Sequence, residues 1–114
     1  MDSKQTAILA AKILSDKKAV DITVIDISVK STFADYFVLA SGSSQRQIGT
    51  LRDEIDDRLA KENILPNGVE GKPDSGWILM DYGDVIVNIL TADMRDRYNI
   101  EKVWGDCEFL QLDL

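Results

Sequence analysis

Between Ser75 and Leu90 the chain reads SGWILMDYGDVIVNIL, and this stretch limits the fold more than any other. Two apolar runs meet at Tyr82-Gly83, where glycine permits the tight backbone of a hairpin. If Tyr82-Gly83 forms a two-residue turn, Asp81 pairs with Asp84, Met80 faces Val85 and Ile78 faces Val87. Those last four side chains, with Ile89, then make one wholly apolar surface. The opposite surface carries Trp77, Leu79, Asp81, Asp84, Ile86, Asn88 and Leu90, a mixture of aromatic, aliphatic and acidic groups. A left-handed Gly83 after a type I turn shifts the pairing by one and brings Trp77 in beside Val85 and Val87. The pattern favours the first register. A mixed surface suits an interface better than a core, because interface centres favour aromatics with charge at the rim. An Asn88 buried without partners would cost about 1–3 kcal/mol.

The hairpin belongs to a chain of 114 residues, enough for one domain with one core. Its 45% apolar and 29% charged residues are those of a soluble globular protein. The longest apolar runs fall far short of the roughly 18 residues of a membrane span. MDSKQTAILAAKILSDKK at the N-terminus is charged at both ends with apolar residues at helical spacing, the pattern of an amphipathic helix and not of a secretory signal. Cys107, the lone cysteine, forms no internal disulfide and reads as a small apolar filler. These features fit a cytoplasmic protein.

Histidine is absent, which removes Ser-His-Asp and Cys-His nucleophiles and histidine acid–base chemistry together. The net charge of −7 is uneven: residues 81–114 carry eight acids and three bases, a net of −5. A direct nucleic-acid binder normally shows a basic face, so an acidic C-terminal third points instead towards a basic partner.

Elsewhere, Asp2 and Gln5 resemble a capping box, and Ala7, Ile8, Ala11 and Leu14 form the stripe of a first helix. AVDITVIDISVKS reads as a strand whose apolar phase switches, which calls for a bulge near Val24-Ile25. The unbroken apolar run in ADYFVLASG predicts a central strand covered on both faces. Ser44 caps a second helix with Gln47 at the reciprocal position, and Ile48, Leu51, Ile55 and Leu59 give it a narrow apolar stripe. That helix breaks at NILPNG, and GVEGKPDSG continues as a short extended piece. Thr91 caps a third helix over TADMRDRYNIEKVW, and the tail CEFLQLDL alternates as an edge strand or an oligomer contact. The order of elements predicts an α/β layered single domain with a mixed β-sheet and about three helices.

ADYFVLASGSSQRQI, GVEGKPDSGWILMDYGDVIVNIL and RYNIEKVW, in this order, resemble the Iojap-like ribosomal silencing factor family (RsfS) from about residue 5 to residue 104. The resemblance implies a nucleotidyltransferase-like topology without catalysis, cofactor or metal. It also implies binding to the large ribosomal subunit through its basic uL14-family protein, blocked subunit joining, and lowered translation under nutrient limitation. A third reading, independent of the resemblance, is a homodimerising domain whose mixed hairpin face meets its own copy. The family's binding surface, matched onto this chain, brings in Trp77, Asp81, Tyr82, Gly83, Asp84, Arg95, Tyr98 and Trp104. Leu79 and Asn88 join them from the mixed hairpin face. Gly83 also reads simply as a turn glycine, and Trp104 as a core anchor. Asn88 stands where family members usually have histidine and so cannot titrate. The tail 105–114 receives no reading from the resemblance.

The enzymatic alternative is a metal-dependent nucleotidyltransferase. ASGSS at a strand end resembles that fold's phosphate cradle, and helix N-termini attract anions. The chemistry also needs carboxylates converging on magnesium, and no Asp-x-Asp or Asp-x-Glu lies on the later strands. Ser43 and Ser44 read as caps.

Overall fold

Alternating helices and strands assemble one mixed sheet in the computed structural model, which describes residues 1–114. The strands are β1 (Val20–Asp26), β2 (Tyr36–Gly42), β3 (Gly68–Glu70), β4 (Trp77–Asp81), β5 (Val85–Thr91) and β6 (Glu108–Phe109). They lie in the order β3-β4-β5-β2-β1-β6. Only β2 and β5 run parallel, with Phe37 opposite Ile86 and Leu39 opposite Asn88. The helices are α1 (Ser3–Asp16), α2 (Gln45–Ala60), α3 (Ala92–Tyr98) and the single turn α4 (Ile100–Val103). The α/β expectation with a mixed sheet holds.

The two faces of the sheet are covered unequally. Against one lie α1 and α2, and their stripes join Val24, Val38, Ala40, Ile78, Met80, Val85, Val87 and Ile89 in a core of 17 buried residues. On the other face the buried cluster is smaller, six residues including Ile25, Ile27, Leu39 and Ile86, with Ile100 and Trp104 packed over it. This two-sided burial explains strand one. Val24 belongs to the larger core and Ile25 to the smaller, so adjacent apolar residues simply face opposite ways. No bulge is needed at Val24-Ile25. The irregularity lies earlier, between Val20 and Thr23, where Asp21 has φ of 52°. β2, at the centre, is buried on both faces as expected.

Capping follows the side chains. Asp2 and Gln5 form the reciprocal box on α1. Ser44 accepts from the Gln47 amide at the start of α2. The Gln47 side chain accepts from the Ser43 hydroxyl at 2.8 Å and not from the Ser44 amide. Its Nε2 donates to the Lys17 and Lys18 carbonyls at 3.4 and 3.3 Å, tying the end of α1 to the start of α2. Thr91 caps α3, but that helix stops at Asn99, which turns left-handed with φ of 42° before α4 begins. The expected single third helix is therefore two pieces at an angle. Asparagine is among the few residues that take this conformation readily.

GVEGKPDSG supplies β3 and a 3-10 turn at Pro73–Ser75. The tail is an edge strand: Phe109 stands opposite Ile25, the Leu110 amide donates to Val24 at 2.9 Å, and Leu110 and Leu112 pack on the larger core. Gly71, in the link from β3 to β4, has φ of 87°, and a Cβ there would come within 2.1 Å of the Trp77 carbonyl oxygen. Backbone cannot yield as a side-chain tip does. Gly71→Ala is expected to cost about 2–4 kcal/mol, seen as an earlier midpoint in urea denaturation, by combining left-handed strain with a backbone clash.

Candidate docking face

The period-two alternation of β4 and β5 sorts the hairpin. Trp77 pairs with Leu90, Ile78 with Ile89, Met80 with Val87 and Asp81 with Ile86. Tyr82 donates its amide to the Val85 carbonyl at 2.9 Å, so Gly83 and Asp84 form the turn, with Gly83 at φ of 83°. The register thus differs by two residues from the one favoured from the pattern. A slip of two preserves side-chain parity, so the face assignment survives. Ile78, Met80, Val85, Val87 and Ile89 are all buried under the helices.

Trp77, Leu79 and Asp81 lie on the other face at the β4 side, and all three are half-buried. The Trp77 ring packs against Tyr98 with centroids 5.2 Å apart at 46°, and its Nε1 donates to Asn88 Oδ1 at 3.1 Å. Tyr98, at the end of α3, remains 51% exposed. Leu79 packs at the edge of the smaller cluster together with Phe37, Ile100 and Trp104. Beyond it the Trp104 ring lies 5.5 Å from Phe37 and 6.4 Å from Phe33, the last of these 60% exposed. These side chains make an aromatic and aliphatic seam that no helix covers fully. Asp81 accepts from the Gly83 amide at 2.8 Å, which braces the turn, and Asp84 is exposed.

Three residues expected to contact a partner have other surroundings. Asn88 is 1% exposed and reaches no surface: its oxygen takes the indole N–H, and its Nδ2 has no hydrogen-bond partner. Tyr82 packs against the larger core, because parity places it with Met80 and Ile78 on the helix-covered face. Burial, and then the Asp56 carboxylate, push its phenol far above the usual range. Arg95 is 8% exposed and fastens the α3–α4 segment to the sheet. Its Nη1 donates to the Asp21 carbonyl at 2.6 Å and to Ser41 Oγ at 3.2 Å. Nη2 donates to Thr23 Oγ1 and Glu101 Oε2, both at 3.1 Å, and Nε donates to Glu101 Oε1 at 3.0 Å. All five donors of the guanidinium are used. The left-handed Asp21 thus lends its carbonyl to this clasp. Hydrogen bonds from Arg95 hold the Glu101 carboxyl below its ordinary 4.5.

Sequence reasoning did not select Phe33 or Phe37 for this face. Phe37 sits in an unbroken apolar run, where alternation carries no information about sides. Nowhere do three or more Cys, Asp or Glu side chains group so as to hold a metal ion. At the ends of β2 and β5 a cleft of about 320 Å³ is lined by Ser43, Ser44, Gln45, Thr91, Ala92 and Asp93.

The profile described as "Ribosomal silencing factor during starvation", RsfS, matches residues 1–114. The chain belongs to the RsfS family. It is 37% identical to the ribosomal silencing factor RsfS of Bacillus subtilis, over 99% of this chain and 96% of that protein. Chloroplastic protein Iojap of Arabidopsis thaliana is 31% identical over 97% of this chain, which spans 46% of that relative. A crystal structure of a Chromobacterium violaceum protein superposes with a TM-score of 0.89 at 30% identity, covering 100% of this chain and 94% of that one. RsfS relatives thus share both the sequence and the layered architecture described above.

Removal of the Arg95 clasp in this RsfS-family chain strands the Glu101 carboxylate and frees α3–α4. Arg95→Ala is expected to destabilise the fold by about 3–5 kcal/mol in chemical denaturation. The folded Glu101 carboxyl titrates below its ordinary value, so its stabilisation is present above pH 4.5 and fades as pH falls through the lower, folded value. Glu101→Gln should flatten that part of the acid stability profile and leave the neutral-to-alkaline part unchanged.

Proposed function

We propose that this chain silences ribosomes by docking on the basic uL14-family protein of the large subunit, where its bulk blocks the small subunit from joining. Translation then falls when nutrients are limiting. The observation that carries this reading is the half-buried Trp77–Tyr98 pair with Leu79 on the outer face of β4, with Asp81 and the exposed Asp84 at the turn end of that strand. Aromatic groups at the centre with acids at the rim are the composition of a protein interface, and the acidity of residues 81–114, net −5, complements a basic partner.

Trp77, Leu79, Asp81, Asp84 and Tyr98 are the contact residues in this reading, while Tyr82, Asn88 and Arg95 support them from beneath. Trp104, Phe37 and Phe33 extend the seam and make the far end of the contact. The whole of residues 1–114 acts as one binding unit, regulatory and without a cofactor. It acts in the cytoplasm, and no helix is long and apolar enough to cross a membrane. When free, the same seam meets a second copy of the chain.

Trp77→Glu is expected to fold, since the indole is only half-buried, but to lose co-sedimentation with purified large subunits. In a light-scattering assay of subunit joining, the wild-type protein should block association and the variant should not. Wild-type sedimentation by the variant would overturn the assignment. Raising salt from about 0.1 to 0.5 M should weaken the complex several-fold, because exposed charge pairs are screened over about 4–10 Å in that range.

A further inference from the structure

Asn88 interrupts an otherwise apolar strand, VIVNIL, and its place in the sheet isolates it. Across β2 it stands opposite Leu39, and across β4 opposite Leu79, so neither lateral neighbour offers a polar side chain. Trp77 pairs with Leu90, two residues further along β5, and its ring reaches diagonally over the face to Asn88. The indole N–H only donates, so the Asn88 oxygen must be the atom that meets it. The amide nitrogen is then left buried with no acceptor. A leucine here would avoid that penalty, and Leu branches at Cγ as Asn does.

We infer that Asn88 is a positioning residue for Trp77: it fixes the indole, through the Nε1–H···Oδ1 bond, in the orientation in which its ring lies beside Tyr98 and stays partly exposed on the outer face of β4. The inference rests on the docking reading of Trp77 given above. Without the bond the indole has one remaining neighbour of its own kind, the half-exposed Tyr98 ring, and gains rotamer freedom that docking must remove. The polar group lowers the stability of the free fold and raises the affinity of the complex. A residue kept only for the fold would show the reverse.

The test uses full-length protein and purified large subunits. Asn88→Leu is expected to melt about 2–6 °C higher than wild type once the unpaired amide is gone. It should bind large subunits at least fivefold more weakly. In ¹H–¹⁵N spectra, the Trp77 indole resonance, identified by its loss in Trp77→Phe, should exchange with solvent faster in Asn88→Leu. Asn88→Asp keeps an acceptor oxygen in either protonation state. It should melt lower than wild type, yet bind within about twofold and keep the slow indole exchange. Wild-type binding by Asn88→Leu overturns the inference. So does weak binding by Asn88→Asp under conditions where it is folded, or a lower melting temperature for Asn88→Leu with binding that falls in step. If Trp77→Ala itself binds as wild type does, the docking reading fails instead, and the indole exchange data still report whether Asn88 orients the ring.

Discussion

The guanidinium of Arg95 decides what the second face of the sheet looks like. Its five hydrogen bonds reach β1, β2 and α4 from a helix of seven residues that is too short to hold itself. That clasp seats Tyr98 beside Trp77 at the end of α3 and carries Trp104 over Phe37 at the end of α4. That face is roofed by the short α3 and α4, of seven and four residues, in contrast to the thirty residues of α1 and α2 on the opposite side. Arg95 is buried and Glu101 half-buried, so losing Glu101 would leave the guanidinium charge unpaired in a desolvated place.

Unequal roofing is the physical basis for reading the molecule as a binding protein. A face covered by two amphipathic helices is finished. A face covered only by the short α3 and α4 leaves half-buried aromatics at its margin, and these gain most from a second surface. On the proposed reading, contact residues and supporting residues separate cleanly by depth: Trp77 and Tyr98 outside, Asn88 and Arg95 directly beneath. The supporting residues are polar groups whose partners are specific, which confers orientation where an apolar layer would allow sliding.

Much of this was legible in the sequence where local physics dominates. The caps at Asp2, Ser44 and Thr91 are short-range choices and were read correctly. The two faces of the hairpin were also legible, even though its register was not, because an error of two residues leaves parity intact. Where both sides of a strand are covered, alternation fails as a signal, which misplaced the β1 irregularity and hid Phe37. Arg95 enters the expected contact set through the family resemblance, and its clasp is not legible locally because Ser41, Thr23 and Asp21 stand 54, 72 and 74 residues away along the chain. No local pattern announces a closure of that length. Tyr82 shares the even parity of Ile78 and Met80, and the structure accordingly packs it, half-buried, on the helical side. The motifs that carried the family resemblance lie at these same elements, and the comparison with RsfS relatives bears the resemblance out.

The tip of the hairpin has a further consequence. The Asp84 carbonyl accepts the amides of both Asp35 and Tyr36, at 2.8 and 3.0 Å, while Asp81 holds the Gly83 amide. A protruding loop that would ordinarily flutter is thereby moored to the root of the central strand. Whatever meets this corner of the molecule finds it already set in shape, and little conformational freedom is left to be surrendered on contact.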